Sequence, residues 1–154
     1  MHRSKRSVLV LAAGCVGLLG LTGCGGDDSA SIGRPGDKAK ATRVIEVTQN
    51  DDRYIPNFIN VKPSETVTIR VTNKGTKIHE FFLGNEEDQK EREELMTGMG
   101  SSPMNMPDLA NSVTMDPGAT EEITWSFPKG GNILFGCHEP GDYAKGMRGE
   151  IKVA

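Results

Sequence analysis

The sequence predicts an antiparallel β-sandwich with Greek-key connections, and two observations lead to this fold class. From about residue 43 onward, apolar and polar residues alternate with a period of two, which is typical of strands that bury one face. Short clusters of Pro, Gly, Asn and Asp separate these segments at regular intervals, as turns do in all-β domains. No internal repeat is evident.

Seven segments carry the strand pattern. In chain order they are 43–49, 55–61, 65–73, 78–83, 121–127, 132–137 and 149–153. In segment 65–73, for example, Val67, Ile69 and Val71 face one side while polar residues face the other. Segment 78–83 differs because it is short and apolar on both faces.

One stretch departs from the strand pattern. The segment from Asn85 to Met96 is highly charged and rich in helix formers, and Asn85 is placed to cap it, so we predict a short exposed helix. A loop of Gly, Ser, Pro and Met follows over residues 97–111. The methionines in and beside this loop are Met96, Met99, Met104, Met106 and Met115. They either capture Cu(I) transiently or fill gaps at the rim of the sandwich, and the sequence leaves both readings open.

The N-terminus reads as a targeting segment. A basic start precedes an apolar run over residues 8–21, which is too short to be a comfortable transmembrane helix, and the run ends in Leu21-Thr22-Gly23-Cys24. Bacterial lipoproteins have this pattern, so we predict a signal peptide over 1–23 and a lipid on Cys24. The alternative is an ordinary secretory signal that is cut nearby. Residues 24–42, rich in Gly, Asp, Ser and Pro, then read as a flexible tether, and residues 43–154 as one domain.

Charge and cysteine usage narrow the function further. The net charge is -3, and removal of the basic signal residues makes the mature chain more acidic, so we expect no nucleic-acid partner. Cys15 leaves with the signal and Cys24 carries lipid, which makes Cys137 the one free thiol. Without a disulfide partner in its own chain, Cys137 is either buried and inert or a metal ligand.

Three separated side chains offer donor atoms that suit copper. Cys137 ends a predicted strand on its core side, Met147 follows after the Pro140-Gly141 turn, and His79 opens the strand 78–83. A thiolate and a thioether stabilise Cu(I), while an imidazole accepts both oxidation states of copper. The alternative for each is a structural role, as an inert buried cysteine, a core histidine and a core methionine.

Two neighbouring residues are further candidates. His138 follows Cys137 directly, so strand alternation turns it to the opposite face, and we expect it to be exposed to solvent. It would reach the metal only if the strand ended at Cys137. Asp142 is either a hard carboxylate ligand or an ordinary turn residue after Pro140-Gly141. The sequence leaves open which of the two completes the coordination shell.

Several motifs together resemble the cupredoxins, and among them the exported bacterial proteins related to plastocyanin and auracyanin. The motifs are His79-Glu80-Phe81, Asp116-Pro117-Gly118, Trp125-Ser126-Phe127, and the run from Phe135 to Gly141 followed by Gly146-Met147. The resemblance covers nearly the whole domain. It implies a cupredoxin-like Greek-key sandwich with one mononuclear type 1 copper site.

The resemblance also implies roles for individual residues. His79 matches the upstream histidine ligand of the family, Cys137 the thiolate, and Met147 the axial ligand. Asp142 stands where the second histidine of the family belongs. This departure bears on the colour of the site and on the preferred oxidation state of the copper.

We therefore expect a copper-binding, membrane-tethered electron carrier that meets a redox or copper-handling protein. It would be exported, and either anchored to the outer face of the bacterial cell membrane or periplasmic. One alternative is a lipoprotein for copper tolerance or delivery that uses the methionine loop. Another is a metal-free interaction module with the same fold. We expect no enzymatic activity, because neither a Ser/His/Asp arrangement nor paired carboxylates have local support in the sequence.

Overall fold

The computed structural model describes residues 32–99 and 109–154, which form strands β1 to β10 and one α-helix. The elements are β1 (Arg34–Pro35), a 3-10 turn (Lys38–Lys40), β2 (Val44–Gln49), β3 (Tyr54–Ile55), β4 (Phe58–Val61), β5 (Thr66–Asn73), β6 (His79–Gly84), helix α1 (Glu86–Met99), β7 (Ser112–Met115), β8 (Thr120–Ser126), β9 (Gly131–Gly136) and β10 (Arg148–Val153). The predicted all-β sandwich with one helix is confirmed.

The strands form two five-stranded sheets. The first has the order β1-β8-β5-β2-β3 and the second the order β4-β10-β9-β6-β7. Most neighbours are antiparallel, but β2 pairs with β5 and β4 pairs with β10 in parallel. Both parallel pairs join strands that are not consecutive in the chain.

The core lies between the sheets and follows the predicted alternation. Val67, Ile69 and Val71 of β5 are fully buried, and so are Ile133 and Phe135 of β9. Aromatic rings join the two layers: Phe81 stacks on Phe135 with ring centroids 4.9 Å apart, and Tyr54 of the first sheet meets both rings edge-on. Phe81 lies two residues after His79 on the same face of β6, so this aromatic layer adjoins His79.

The structure corrects two predicted elements and adds a third. The predicted strand 55–61 is divided, because β3 pairs with β2 in one sheet while β4 pairs with β10 in the other. The helix begins at Glu86 as predicted but extends to Met99. Strand β7 was not predicted, although it pairs with β6 over four residues. None of the helices within the described residues has the length and apolar character that crossing a bilayer requires.

The folded domain begins earlier than the sequence predicts. The composition of residues 32–42 predicts part of a tether, whereas these residues pack onto the sandwich. The Ile32 side chain is buried, its carbonyl accepts a hydrogen bond of 2.7 Å from the Trp125 indole, and β1 pairs with the edge of β8. Two-residue strands and capped turns leave no periodic signal, which explains the error. The predicted signal peptide and Cys24 lie outside the described residues.

The two ends of the sandwich lie at the two termini of strand β5. We call them the His79 end and the Ile32 end. Asn73 at one end of β5 donates a hydrogen bond to the carbonyl of Met115, which pairs with His79. Thr66 at the other end pairs with Ser126, which in turn pairs with Arg34 of β1. The eight residues of β5 place these ends about 23 Å apart.

Candidate metal centre

His79 is the first residue of β6, and its imidazole lies fully buried at the end of the core. Nδ1 lies 3.0 Å from Oδ2 of Asp142 and 3.6 Å from Sγ of Cys137. The chain reaches this position through the turn after β5, where the Asn73 side chain binds the backbone of Gly75 and Lys77. One nitrogen of the ring therefore points directly at the thiol and the carboxylate.

Cys137 follows the last residue of β9 and is fully buried. Its backbone N–H donates to the carbonyl of Met147 at 3.1 Å, and its sulfur accepts a hydrogen bond of 3.3 Å from the backbone N–H of Glu80. Burial raises the pKa of the Cys137 thiol well above its ordinary value, so the metal-free thiol is protonated. A bound cation is what would stabilise the thiolate here.

Asp142 enters the site from the loop between β9 and β10. Its backbone N–H donates to the carbonyl of Glu139, and its carbonyl accepts from the N–H of Met147 at 3.0 Å. Gly141, with φ of 86°, supplies the left-handed turn that directs the next side chain inward. Oδ2 of Asp142 then lies 3.5 Å from Sγ of Cys137, and the residue is only 5% exposed.

These three donor atoms fit a single metal ion. Ligands held about 2.0–2.3 Å from one ion in a trigonal or tetrahedral arrangement lie roughly 3.3–3.9 Å from one another. The observed separations between Nδ1, Sγ and Oδ2 are 3.0, 3.5 and 3.6 Å, close to that range. Among the described residues, His79, Cys137 and Asp142 form the one group of three such side chains with metal-ligand spacing. A thiolate with an imidazole suits copper or zinc, and the carboxylate is the hardest donor of the set.

Asp51 contacts the Nε2 side of the His79 imidazole, and the sequence analysis does not predict this contact. Oδ1 of Asp51 lies 3.1 Å from Nε2 of His79 and accepts a hydrogen bond of 2.7 Å from the backbone N–H of Thr76. The Thr76 hydroxyl donates to Oδ2. These bonds lower the pKa of Asp51 to about 2, with those from Thr76 the largest causes. A carboxylate behind a ligating histidine fixes the ring and its tautomer, leaving Nδ1 for the metal.

Gly75 makes this approach possible. A Cβ at this position would lie 2.4 Å from Oδ1 of Asp51 and 3.0 Å from Nε2 of His79. Any larger residue would therefore separate the carboxylate from the ring. The sequence Asn73-Lys74-Gly75 is typical of a turn. No local pattern, however, indicates that Asp51 packs against Gly75 and His79.

The remaining predicted residues divide into two groups. Met147 is fully buried, and its backbone forms hydrogen bonds with the backbones of Cys137 and Asp142. The structure therefore brings Met147 to the site. His138 was expected to be exposed, and this is wrong. It does turn to the opposite face from Cys137, but it is fully buried there, with Nε2 at 2.8 Å from Oε1 of Gln89 and Nδ1 at 2.8 Å from Oε2 of Glu93.

The methionines of the predicted loop also divide. Met115 lies in the core opposite His79 in the β6–β7 pair, where it fills space. Met96 lies half-buried on α1. Met104 and Met106 lie outside the described residues, and so does the side chain of Met99, so their predicted role in Cu(I) capture stays a prediction.

Comparison with known proteins decides the family. The family described as "Cupredoxin-like domain" matches residues 29–151. The chain belongs to the cupredoxin family. The copper-resistant cuproprotein CopI of Pseudomonas aeruginosa is 36% identical over 149 residues, covering 80% of this chain and 82% of that protein. CopI of Rubrivivax gelatinosus is also 36% identical, over 132 residues, covering 82% of this chain and 76% of the relative.

Solved structures agree with the fold. The reduced auracyanin of Roseiflexus castenholzii has a TM-score of 0.62 at 25% identity, covering 74% of this chain and 98% of that one. A multicopper oxidase of Pediococcus acidilactici, at 16% identity and a TM-score of 0.53, covers 77% of this chain but is itself covered to only 28%, and it shows the fold alone. Family membership and the donor set together make copper the cofactor of this chain.

Proposed function

We propose that this cupredoxin is exported, anchored through a lipid on Cys24, and carries single electrons on one copper ion. His79, Cys137 and Asp142 would hold the ion, with Met147 as a weak axial ligand. Its partner would be a redox or copper-handling protein that meets the His79 end. The observation that carries the proposal is the convergence of three donor atoms, from distant parts of the chain, in one buried cluster.

The arrangement suits electron transfer because the donors are fixed before any metal arrives. Backbone hydrogen bonds hold Cys137 on both sides, and Asp51 holds the far nitrogen of His79. When bound, copper supplies the one-electron change between Cu(I) and Cu(II). We expect these hydrogen-bonded residues to keep their positions in both oxidation states, so that little rearrangement would accompany each transfer.

The same burial favours a carrier over an enzyme. His79 and Cys137 are 0% exposed and Asp142 is 5% exposed, so the donor side chains present no solvent-accessible position for a substrate. Catalytic metal sites keep such a position free for water or substrate. We therefore infer that the protein passes electrons through its surface and transforms no bound molecule.

Redox titration of the copper-loaded, full-length mature protein tests this function. We expect one copper per chain, retained through repeated cycles of reduction and oxidation at a single potential. Cys137→Ser should abolish the thiolate-to-copper absorption. Loss of copper in each reduction cycle would refute electron carriage.

A second function is copper tolerance or delivery. It is supported by the likeness to CopI, which is a copper-resistance protein, and by the methionine-rich segment after α1. In this case, cells that lack the protein should grow poorly in excess copper. A variant with Met99, Met104 and Met106 changed to Leu should restore tolerance less well than the parent protein. If both the parent and this variant restore growth equally, the methionines have no part in it.

The third reading of the sequence, a metal-free interaction module, disagrees with the donor set of the site and with membership of the cupredoxin family. It predicts no copper in protein purified from a copper-rich periplasm. Quantification of copper in that sample separates it from the first two functions.

A further inference from the structure

The two ligand-bearing segments lie side by side in the second sheet. His79 opens β6, Cys137 follows β9, and these strands are antiparallel neighbours with Phe82 opposite Gly136. Because side chains alternate along a strand, the residues after the two ligands, Glu80 and His138, turn to the outer face of the sheet. Helix α1 covers this outer face.

On that face, Arg92 of α1 binds the carboxylate of Glu80. The Arg92 guanidinium donates to Oε1 of Glu80 at 2.6 Å and to Oε2 at 3.3 Å, and both residues are almost fully buried. The Ser112 hydroxyl of β7 donates to the same carboxylate at 2.6 Å. The carbonyl of Glu80 accepts a hydrogen bond from the Tyr54 hydroxyl. Glu80 is thus fixed by its side chain and its backbone together.

The same helix holds His138. Both ring nitrogens are engaged, one with Gln89 and the other with Glu93, each at 2.8 Å. The Gln89 amide nitrogen donates to the carbonyls of Phe82 in β6 and Leu134 in β9, so Gln89 also bridges the two strands. The His138 ring stacks on Tyr143 at 4.5 Å. Positions 89, 92 and 93 are three and four residues apart, which places them on one face of the helix.

The contacts between α1 and Glu80 are linked to the donor atoms of the site through the backbone of Glu80. The N–H of Glu80 is the group that donates to Sγ of Cys137. We infer that α1 is a positioning element for the copper ligands, which sets the spacing of His79 and Cys137 by holding Glu80 through Arg92 and His138 through Gln89 and Glu93. The inference rests on the proposed copper site, but the geometry that it describes exists in the metal-free protein.

A purely protective cover would not need these groups. Replacing a buried ion pair by apolar residues of similar volume is often neutral or stabilising, so such pairs are weak evidence for stability. An ion pair with hydrogen bonds of fixed geometry holds its two side chains in one defined position. The polar contacts of α1 gather on the two residues that directly follow the ligands. This placement favours positioning over simple coverage.

Two variants test the inference from opposite sides. His138→Phe removes the bonds to Gln89 and Glu93 but keeps an aromatic ring against Tyr143. The double change Glu80→Gln with Arg92→Gln removes the ion pair without leaving one buried charge alone. Matched controls are Lys90→Gln and Glu91→Gln, which are exposed on the same helix. All are made in the full-length mature protein.

Two readouts separate positioning from stability. The first is hydrogen exchange of the Glu80 amide in the metal-free protein, under conditions where every variant is folded. The second is the reduction potential and paramagnetic resonance spectrum of the copper-loaded protein. We expect Glu80 exchange at least about tenfold faster in both variants, as local opening becomes easier. The potential and spectrum should change in both, while the two controls match the parent protein.

The contrary result is equally clear. If a folded variant keeps the parent rate of Glu80 exchange, or the parent potential and spectrum, α1 contributes only stability and the inference is wrong. If the double variant does not fold, His138→Phe decides by the same criteria. If the parent protein binds no copper, the proposed function fails, and the exchange measurement alone then decides whether α1 positions the two ligand-bearing segments.

Discussion

At the scale of single residues, Asp142 is the donor whose role in the proposed copper site most needs a test. Its carboxylate lies within 3.0 Å of the imidazole nitrogen and 3.5 Å of the thiol sulfur, the position from which a third equatorial donor would act. A carboxylate is a harder ligand than an imidazole, so as a copper ligand it would weaken the delocalised copper–thiolate bond. We therefore expect the colour of the copper protein to depend on this one side chain.

We predict that Asp142→His converts a weakly coloured Cu(II) protein into a strongly blue one. The added imidazole would complete two nitrogens and one thiolate around copper, the donor set of blue sites. Visible absorption and paramagnetic resonance of the Cu(II)-loaded proteins measure the change. Lys152→His, an exposed substitution on β10, is the matched control and should leave both spectra unaltered. Identical spectra for the parent protein and Asp142→His would remove position 142 from the coordination shell.

Asp51 supplies a second prediction at this scale. Asp51→Asn removes the charge that orients Nε2 of His79, and we expect copper affinity to fall about 10- to 100-fold, as for other partners behind a ligating histidine. Competition with a chelator of known affinity measures it. Asp52→Asn is the control, because Asp52 pairs with exposed Arg53 and not with the site. Equal losses in the two variants would show a general charge effect in place of a specific contact.

The predictability of the site varies from residue to residue. The positions of Cys137 and His79 followed from alternation and strand ends, which are local signals. The burial of His138 did not, because it depends on a helix that begins in the chain far upstream and folds back over the sheet. The contact between Asp51 and His79 joins residues that are 28 positions apart, and no local pattern encodes such a meeting.

At the scale of elements, strands with one buried face were predictable and short edge pieces were not. Strands β5, β8 and β9 bury alternate residues deep in the core, so the sequence carries a strong period of two. Strands β1 and β7 lie at sheet edges and take their conformation from a neighbour. The sequence therefore indicated the sandwich, but not where the folded chain begins.

The start of β2 offers a prediction about pH. Glu65, in the turn before β5, binds the Arg43 guanidinium at 2.9 Å, the Thr42 hydroxyl and the N–H of Lys62. The bond to Arg43 is the largest of the causes that lower the pKa of Glu65 from 4.5 to about 2. A lowered carboxyl pKa stabilises the fold above pH 4.5, and this contribution disappears as the pH falls toward 2.

We therefore expect Glu65→Gln to be less stable than the parent protein at pH 7, by about 1 kcal/mol, because Arg43 is half exposed and such pairs are weak. The difference should shrink between pH 4.5 and 2. Urea unfolding across this range measures it. Glu121→Gln, at an exposed position of β8, controls for loss of a carboxylate. A difference that stays constant down to pH 2 would show that the charge of Glu65 has no part in it.

At the scale of the whole molecule, the chain joins the domain at the end opposite the metal centre. Ile32 lies at one end of β5 and His79 at the other, about 23 Å away. If Cys24 carries a lipid, the residues from 24 to 32 span roughly 28 Å at most. Bringing the His79 end to the bilayer would require this segment to run almost fully stretched along the domain. The copper site should therefore face the aqueous phase.

Fluorescence resonance energy transfer from the labelled protein to an acceptor lipid in vesicles tests this orientation. A fluorophore is attached to the full-length lipidated protein at Lys129→Cys, near the Ile32 end, or at Lys145→Cys, near the metal centre; both positions are exposed. We expect stronger transfer to an acceptor lipid from position 129. Mass spectrometry first establishes the lipid on Cys24, so failure of anchoring is seen separately. Equal transfer from both positions in anchored protein would contradict the orientation.

The claim on which the account depends is that one ion binds the thiol of Cys137 and the imidazole of His79 together. X-ray absorption at the copper edge of the copper-loaded protein tests it most directly. We predict one short copper–sulfur distance and one imidazole, with the short sulfur distance lost in Cys137→Ser. A spectrum that contains only nitrogen and oxygen neighbours, and does not change in Cys137→Ser, would contradict the account.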